Sequence, residues 1–96
     1  MMIECFDSNI LYKHDSVQKT IHKRLRGKWE EWCPDVTQSD YISTPLISST
    51  GGTCVTSIRL TGGFSKTVGT FDFLEPAYVE TFQGTSPKRV ICRKVD

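Results

Sequence analysis

The residues of this chain best able to do chemistry are its cations, and they are concentrated. Lys19, Lys23, Arg24, Arg26 and Lys28 fall within ten residues that hold no acid, and Lys88, Arg89, Arg93 and Lys94 crowd the C-terminal end, making nine of the twelve Lys and Arg. A patch of that kind attracts phosphates or an acidic protein surface. The competing reading is a solvated face offset by Asp15, Glu30 and Glu31, with Asp15/Lys19 and Arg26/Glu30 at the i,i+4 spacing that pairs charges along a helix. Net charge is only +1, so whole-molecule attraction to polyanions is weak and any such binding must be local.

Catalytic groupings are harder to find. His14 and His22 stand without a Ser or Cys partner in a nucleophile motif, no Gly-x-Ser-x-Gly elbow occurs, and both histidines read as surface residues. Thr50-Gly51-Gly52-Thr53 and Thr61-Gly62-Gly63-Phe64 lack the Lys-Ser or Lys-Thr of a phosphate-cradling loop and read as hairpin turns. Glu30 and Glu31 would diverge by about 100° on a helix. Asp72 and Glu80 could approach one another on neighbouring strands, but strand surfaces carry such charges routinely. No catalytic residue, metal site or cofactor is therefore expected.

Cys5, Cys33, Cys54 and Cys92 are 28, 21 and 38 residues apart, with no Cys-x-x-Cys pair and no neighbouring His, which is poor zinc spacing. Residues 1–6 have neither the basic start nor the long apolar centre of a signal peptide, and no apolar run approaches the ~20 residues that span a bilayer. The expected address is thus cytoplasmic with free thiols; two disulfides, in any of three pairings, are the second reading.

The element expected to position the cations runs from Asp15 to Cys33. Val17, Ile21, Leu25, Trp29 and Trp32 recur there at spacings of four, four, four and three, one face of an α-helix. Asp15 and Gln18 form a capping-box pattern at its start, and Pro34 disfavours helical geometry at Cys33 and supplies a stop. Gly27 allows a rival in which the helix ends at Arg26. On the preferred reading the tryptophans face the core, although exposed indoles would make a stacking platform for bases.

Ahead of the helix, Met2–Phe6 suggests a strand, Asp7-Ser8-Asn9 a turn, and residues 10–12 a strand or a packed linker. After it, turn signals delimit strands at about Tyr41 to Ser49, Thr53 to Leu60, Phe64 to Leu74, Tyr78 to Gln83 and Lys88 to Val95. Gly69 marks a bulge that brings Phe64 and Val68 into phase with Phe71 and Phe73. Pro45 puts its strand at an edge or breaks it there, and flanking charge suits an edge position for the last strand. The dense Ser and Thr between residues 37 and 86 give a polar outer sheet face.

The fold expected is a single α+β domain over residues 1–96: one amphipathic helix packed on a four- to five-stranded antiparallel meander, with a short N-terminal strand before the helix. This element order resembles that of cystatin-like domains, a likeness of topology. Small size and absent chemistry imply a non-enzymatic intracellular binding protein, an inhibitor or adaptor docking on a larger protein or ribonucleoprotein complex as monomer or homodimer, away from membranes. Phage-encoded inhibitors of bacterial defence complexes have this general profile. The alternative is a nucleic-acid-binding module. In either case the partner-binding residues are Lys19, Lys23, Arg24, Arg26 and Lys28 on the helix, with Arg89 and Arg93 on the last strand.

Overall fold

A computed structural model describes residues 1–6 and 10–95 of the chain. Among these residues there is no helix. Ten strands follow one another: β1 (Met2–Cys5), β2 (Ile10–Asp15), β3 (Thr20–Leu25), β4 (Lys28–Glu31), β5 (Val36–Thr37), β6 (Tyr41–Ile47), β7 (Gly51–Leu60), β8 (Gly63–Asp72), β9 (Ala77–Phe82) and β10 (Lys88–Lys94). All join one antiparallel sheet in the order β4-β3-β2-β1-β10-β9-β8-β7-β6-β5. The expected α+β fold is replaced by an all-β one, and the likeness to cystatin-like domains falls with the helix. The turn expected at Asp7-Ser8-Asn9 lies outside the described residues.

The chain's connectivity forces the sheet to curl. Laid flat, its outermost strands would stand about 43 Å apart, at ~4.8 Å per strand. Those strands, β4 and β5, are joined by residues 32–35 alone, a connector reaching less than about 20 Å. The bend is made at β10, whose Lys88–Ile91 segment pairs with β9 while Cys92, Arg93 and Lys94 pair with β1. One half of the sheet (β1–β4) thereby folds over the other (β5–β9).

The core fills the concave side. Tyr12 of β2 meets Phe71 of β8 edge-on at 4.7 Å between ring centroids, and His14 stacks on Phe73 at 3.9 Å. Ile3, Ile21, Trp32 and Val90 complete this layer. Two disulfides pin it: Cys5–Cys92 joins directly opposed residues of β1 and β10, and Cys33–Cys54 ties the β4–β5 connector to β7. The cysteines expected as free thiols are thus all paired.

The helix failed for a reason visible in the spacing itself. Steps of four are even, so Val17, Ile21, Leu25 and Trp29 satisfy strand alternation as well as a helical face. Residues 16–19 form a hairpin loop and leave Val17 86% exposed at its tip. Arg26 and Gly27, with φ of 53° and 77°, make the two-residue turn between β3 and β4, the primed type that matches strand twist. That turn resets the phase: Trp32 points inward at 8% exposure, and Trp29 points outward at 40%. Asp15 does accept backbone N–H bonds from Val17 and Gln18, both at 3.0 Å, as a cap would. Here they close a loop in which Lys19 takes a left-handed conformation (φ 56°).

The five later strands lie where the turn signals put them, as β6–β10, but within ten strands rather than four or five. Gly69 is not a bulge, because β7 and β8 stay in unbroken register from Gly51↔Asp72 to Leu60↔Gly63. Phe64 and Val68 simply belong to the outer face. Gly69 is small because a Cβ there would collide with the Tyr78 hydroxyl. The last strand is central, not an edge; β6 is covered by β5 only at Ile42 and Ser43, so Pro45 does sit on an open edge.

Candidate functional site

The structure separates the cations that the helix would have gathered. Lys19 and Arg26 occupy turns at opposite ends of β3, roughly 20 Å apart at ~3.3 Å per residue. Between them Lys23 and Arg24 project to opposite faces, Lys23 into the concave side and Arg24 outward. Lys28 opens β4, opposite Leu25. Arg89 is ion-paired with Glu75, and Arg93 with Glu4 at 3.1 Å while lying 5.2 Å from the Phe6 ring centroid. Among the described residues these cations form no continuous basic face, and the basic helix is gone.

What register assembles instead is a row across the convex surface: Arg93, Glu4, Leu11, Arg24 and Trp29 are successive cross-strand neighbours on β10, β1, β2, β3 and β4. Its far end is exposed. Every residue of β4 is exposed, and β4 pairs only with β3, so its outer backbone edge is open. Beside Trp29, a shallow depression of about 290 Å³ is bounded by Lys13, Asp15, Thr20 and His22. An exposed indole beside an arginine, at a sheet edge, has the composition of an interface hot spot.

A second feature lies on the concave side, where the two halves of the sheet part beyond the core. A cleft of about 250 Å³ opens there, with Tyr12, Trp32 and Val90 among its walls. Tyr78 and Glu80 enter from β9 and Lys88 from β10, with Lys88 opposite Glu80 and Val90 opposite Tyr78. The Tyr78 phenol is pushed well above its usual value, first by burial, then by the neighbouring Glu80 charge. Its hydroxyl also bonds to Glu80, which holds the phenol protonated. Lys23 faces this cleft, half-buried, and makes no ion pair among the described residues.

His14 is a third departure from expectation: it is 3% exposed rather than on the surface, and its Nε2 has no partner among the described residues. Burial lowers its pKa, helped by the N-terminal ammonium and opposed by the Ser48 backbone and Asp15. Among the described residues no three His, Cys, Asp or Glu side chains converge as metal ligands. No helix of the described residues is long and apolar enough to cross a membrane.

Tyr12 and Tyr78 escaped sequence reasoning, and Glu80 entered it only as a neighbour of Asp72, which the register places on the opposite face of the sheet. Their signal was alternation, Tyr78 and Glu80 sharing a parity on one strand and Lys88 and Val90 on the next. Which strands would face each other could not be read from it. No protein family, curated protein or solved structure matches the chain.

Proposed function

We propose that the protein is a non-enzymatic binding protein, an inhibitor or adaptor, that docks on an acidic surface of a larger protein through the β3–β4 hairpin. The observation that carries this reading is Trp29: a large aromatic left 40% exposed on a fully exposed edge strand, with Arg24 directly opposite it and Arg26 and Lys28 at the adjoining turn. Such an edge can also accept a partner strand through its unpaired backbone groups. Phage-encoded inhibitors share its small size and absent chemistry. The two buried disulfides, however, fit an oxidising compartment better than the cytoplasm.

The same hairpin supports the rival, a nucleic-acid binder in which Trp29 stacks on a base while Arg24, Arg26 and Lys28 take phosphates. The two separate cleanly. Immobilised protein should retain a partner from nuclease-treated extract and lose it on Arg24→Glu or Trp29→Ala, with little retention on a polynucleotide column at low salt. Polynucleotide affinity that falls linearly in log salt would establish the rival instead. Retention unchanged by both substitutions would remove the hairpin from either role.

A further inference from the structure

We infer that the cleft between the two halves of the sheet is a binding site for a small aromatic monocarboxylate, held with its ring between Tyr12 and Trp32 and its carboxylate on Lys23. Mouths of curled and closed β-sheets are common places for such sites, and pockets of this kind are mostly apolar with a few placed polar groups. The site is distinct from the convex hairpin proposed above as the docking surface.

Size, walls and charge each narrow the ligand. A volume of about 250 Å³ is at the small end for a ligand pocket and suits one or two fused rings. Tyr12 and Trp32 are core residues, 6% and 8% exposed, that also line the cleft, so a ring entering it would meet walls already fixed by packing on Phe71. Rigid aromatic walls of this kind favour ring stacking over a flexible chain.

The charges select an anion of one unit. Glu80 is already engaged by the Tyr78 hydroxyl and stands opposite Lys88. Lys23, facing in from β3 across the cleft, has no carboxylate paired with it among the described residues; its cross-strand neighbour Glu30 is exposed and forms no ion pair with it. A half-buried ammonium without a counterion is stabilised by an incoming carboxylate through a charge-assisted hydrogen bond. A dianion would bring a second charge toward Glu80, and a cation would meet Lys23.

The test uses 3-phenylpropanoate, its neutral amide and 3-phenylpropylamine, followed by the two indole N–H signals in NMR spectra of the full-length protein. The carboxylate should shift the Trp32 signal saturably and leave Trp29 unmoved. The amide should bind at least tenfold more weakly and the amine not measurably. Lys23→Met should reduce carboxylate affinity to that of the amide while leaving amide binding unchanged, which shows that the cleft survives the substitution. Equal binding of carboxylate and amide, a shift at Trp29 instead, or carboxylate affinity unaffected by Lys23→Met would each overturn the assignment, as would the absence of any saturable shift.

Discussion

The two halves of the sheet are built from the same alternation yet hold together differently. In β6–β9 the strands are six to ten residues long and pair over nearly their whole length, β7 and β8 through ten consecutive partners. In β1–β4 they are four to six residues long, end at the fully exposed edge strand β4 and, with their turns, carry six of the twelve Lys and Arg. The long half organises itself through cross-strand pairs along each ladder. The short half depends on covering the other, through Tyr12 and Trp32 on Phe71 and His14 on Phe73.

The largest effects should come from removing what couples them. By chain entropy, Cys5–Cys92, closing 87 residues, is worth about 4–5 kcal/mol and Cys33–Cys54, closing 21, about 3. Urea unfolding of the two double Cys→Ser variants should rank them in that order. Hydrogen exchange sharpens the contrast: without Cys33–Cys54, amides of β3 and β4 should exchange faster while those of β7 and β8 keep their protection. Uniform acceleration across the molecule would mean that the halves do not differ.

Next come the two tryptophans, three residues apart and on opposite faces. Trp32→Ala should cost about 3–5 kcal/mol, as large aromatic truncations in cores do. Trp29→Ala, on the exposed edge, should cost less than about 1 kcal/mol. Equal thermal shifts would contradict the phase reset at Arg26-Gly27. Within the long half, Gly69→Ala should cost about 1–3 kcal/mol by overpacking against Tyr78. Combining it with Tyr78→Phe should cost less than the sum of the two changes, which a double-mutant cycle would measure.

His14 gives a slope with pH. Its folded pKa is lowered, so between that value and about 6.5 the unfolded chain binds the proton more readily. Stability is therefore full above the unfolded value and is lost as pH falls toward the folded one. Denaturant titrations from pH 7.5 to 5 should show the decline, and His14→Gln should flatten it. The smallest effect belongs to the convex surface: Arg93→Ala breaks an exposed pair with Glu4 and should cost less than about 1 kcal/mol, diminishing with salt.

The long half was legible because alternation there runs far enough to exclude a helix, and because Gly62-Gly63, Glu75-Pro76 and the segment from Gly84 to Pro87 interrupt it; Gly51-Gly52, which reads as a turn, instead opens β7, and the chain bends at Ser49 and Thr50. Parity alone groups Cys54 with Ile58 and Leu60, and Phe71 with Phe73; Cys54 and the two phenylalanines are buried, whereas Ile58 and Leu60 lie beyond the core and are exposed. The short half was not legible. A four-residue repeat belongs to both periods, and the deciding residue, Gly27, is compatible with a helix end and with a hairpin turn. The candidate site suffered accordingly: the cations of residues 19–28 stand out in the sequence, but whether Lys23 and Arg24 share a face depends on which period holds.

By itself, the sequence determined the positions of most turns, the inward parity of the later strands, and the absence of a recognisable catalytic motif. Only the tertiary structure decided that residues 15–33 form strands and tight turns and not a helix, that the four cysteines pair, and that Lys23 faces Tyr78 and Glu80. The reason is distance along the chain. Turns and alternation are set by neighbouring residues, whereas the strands flanking the cleft, β3 and β10, are more than sixty residues apart and meet only because a four-residue connector obliges the sheet to curl.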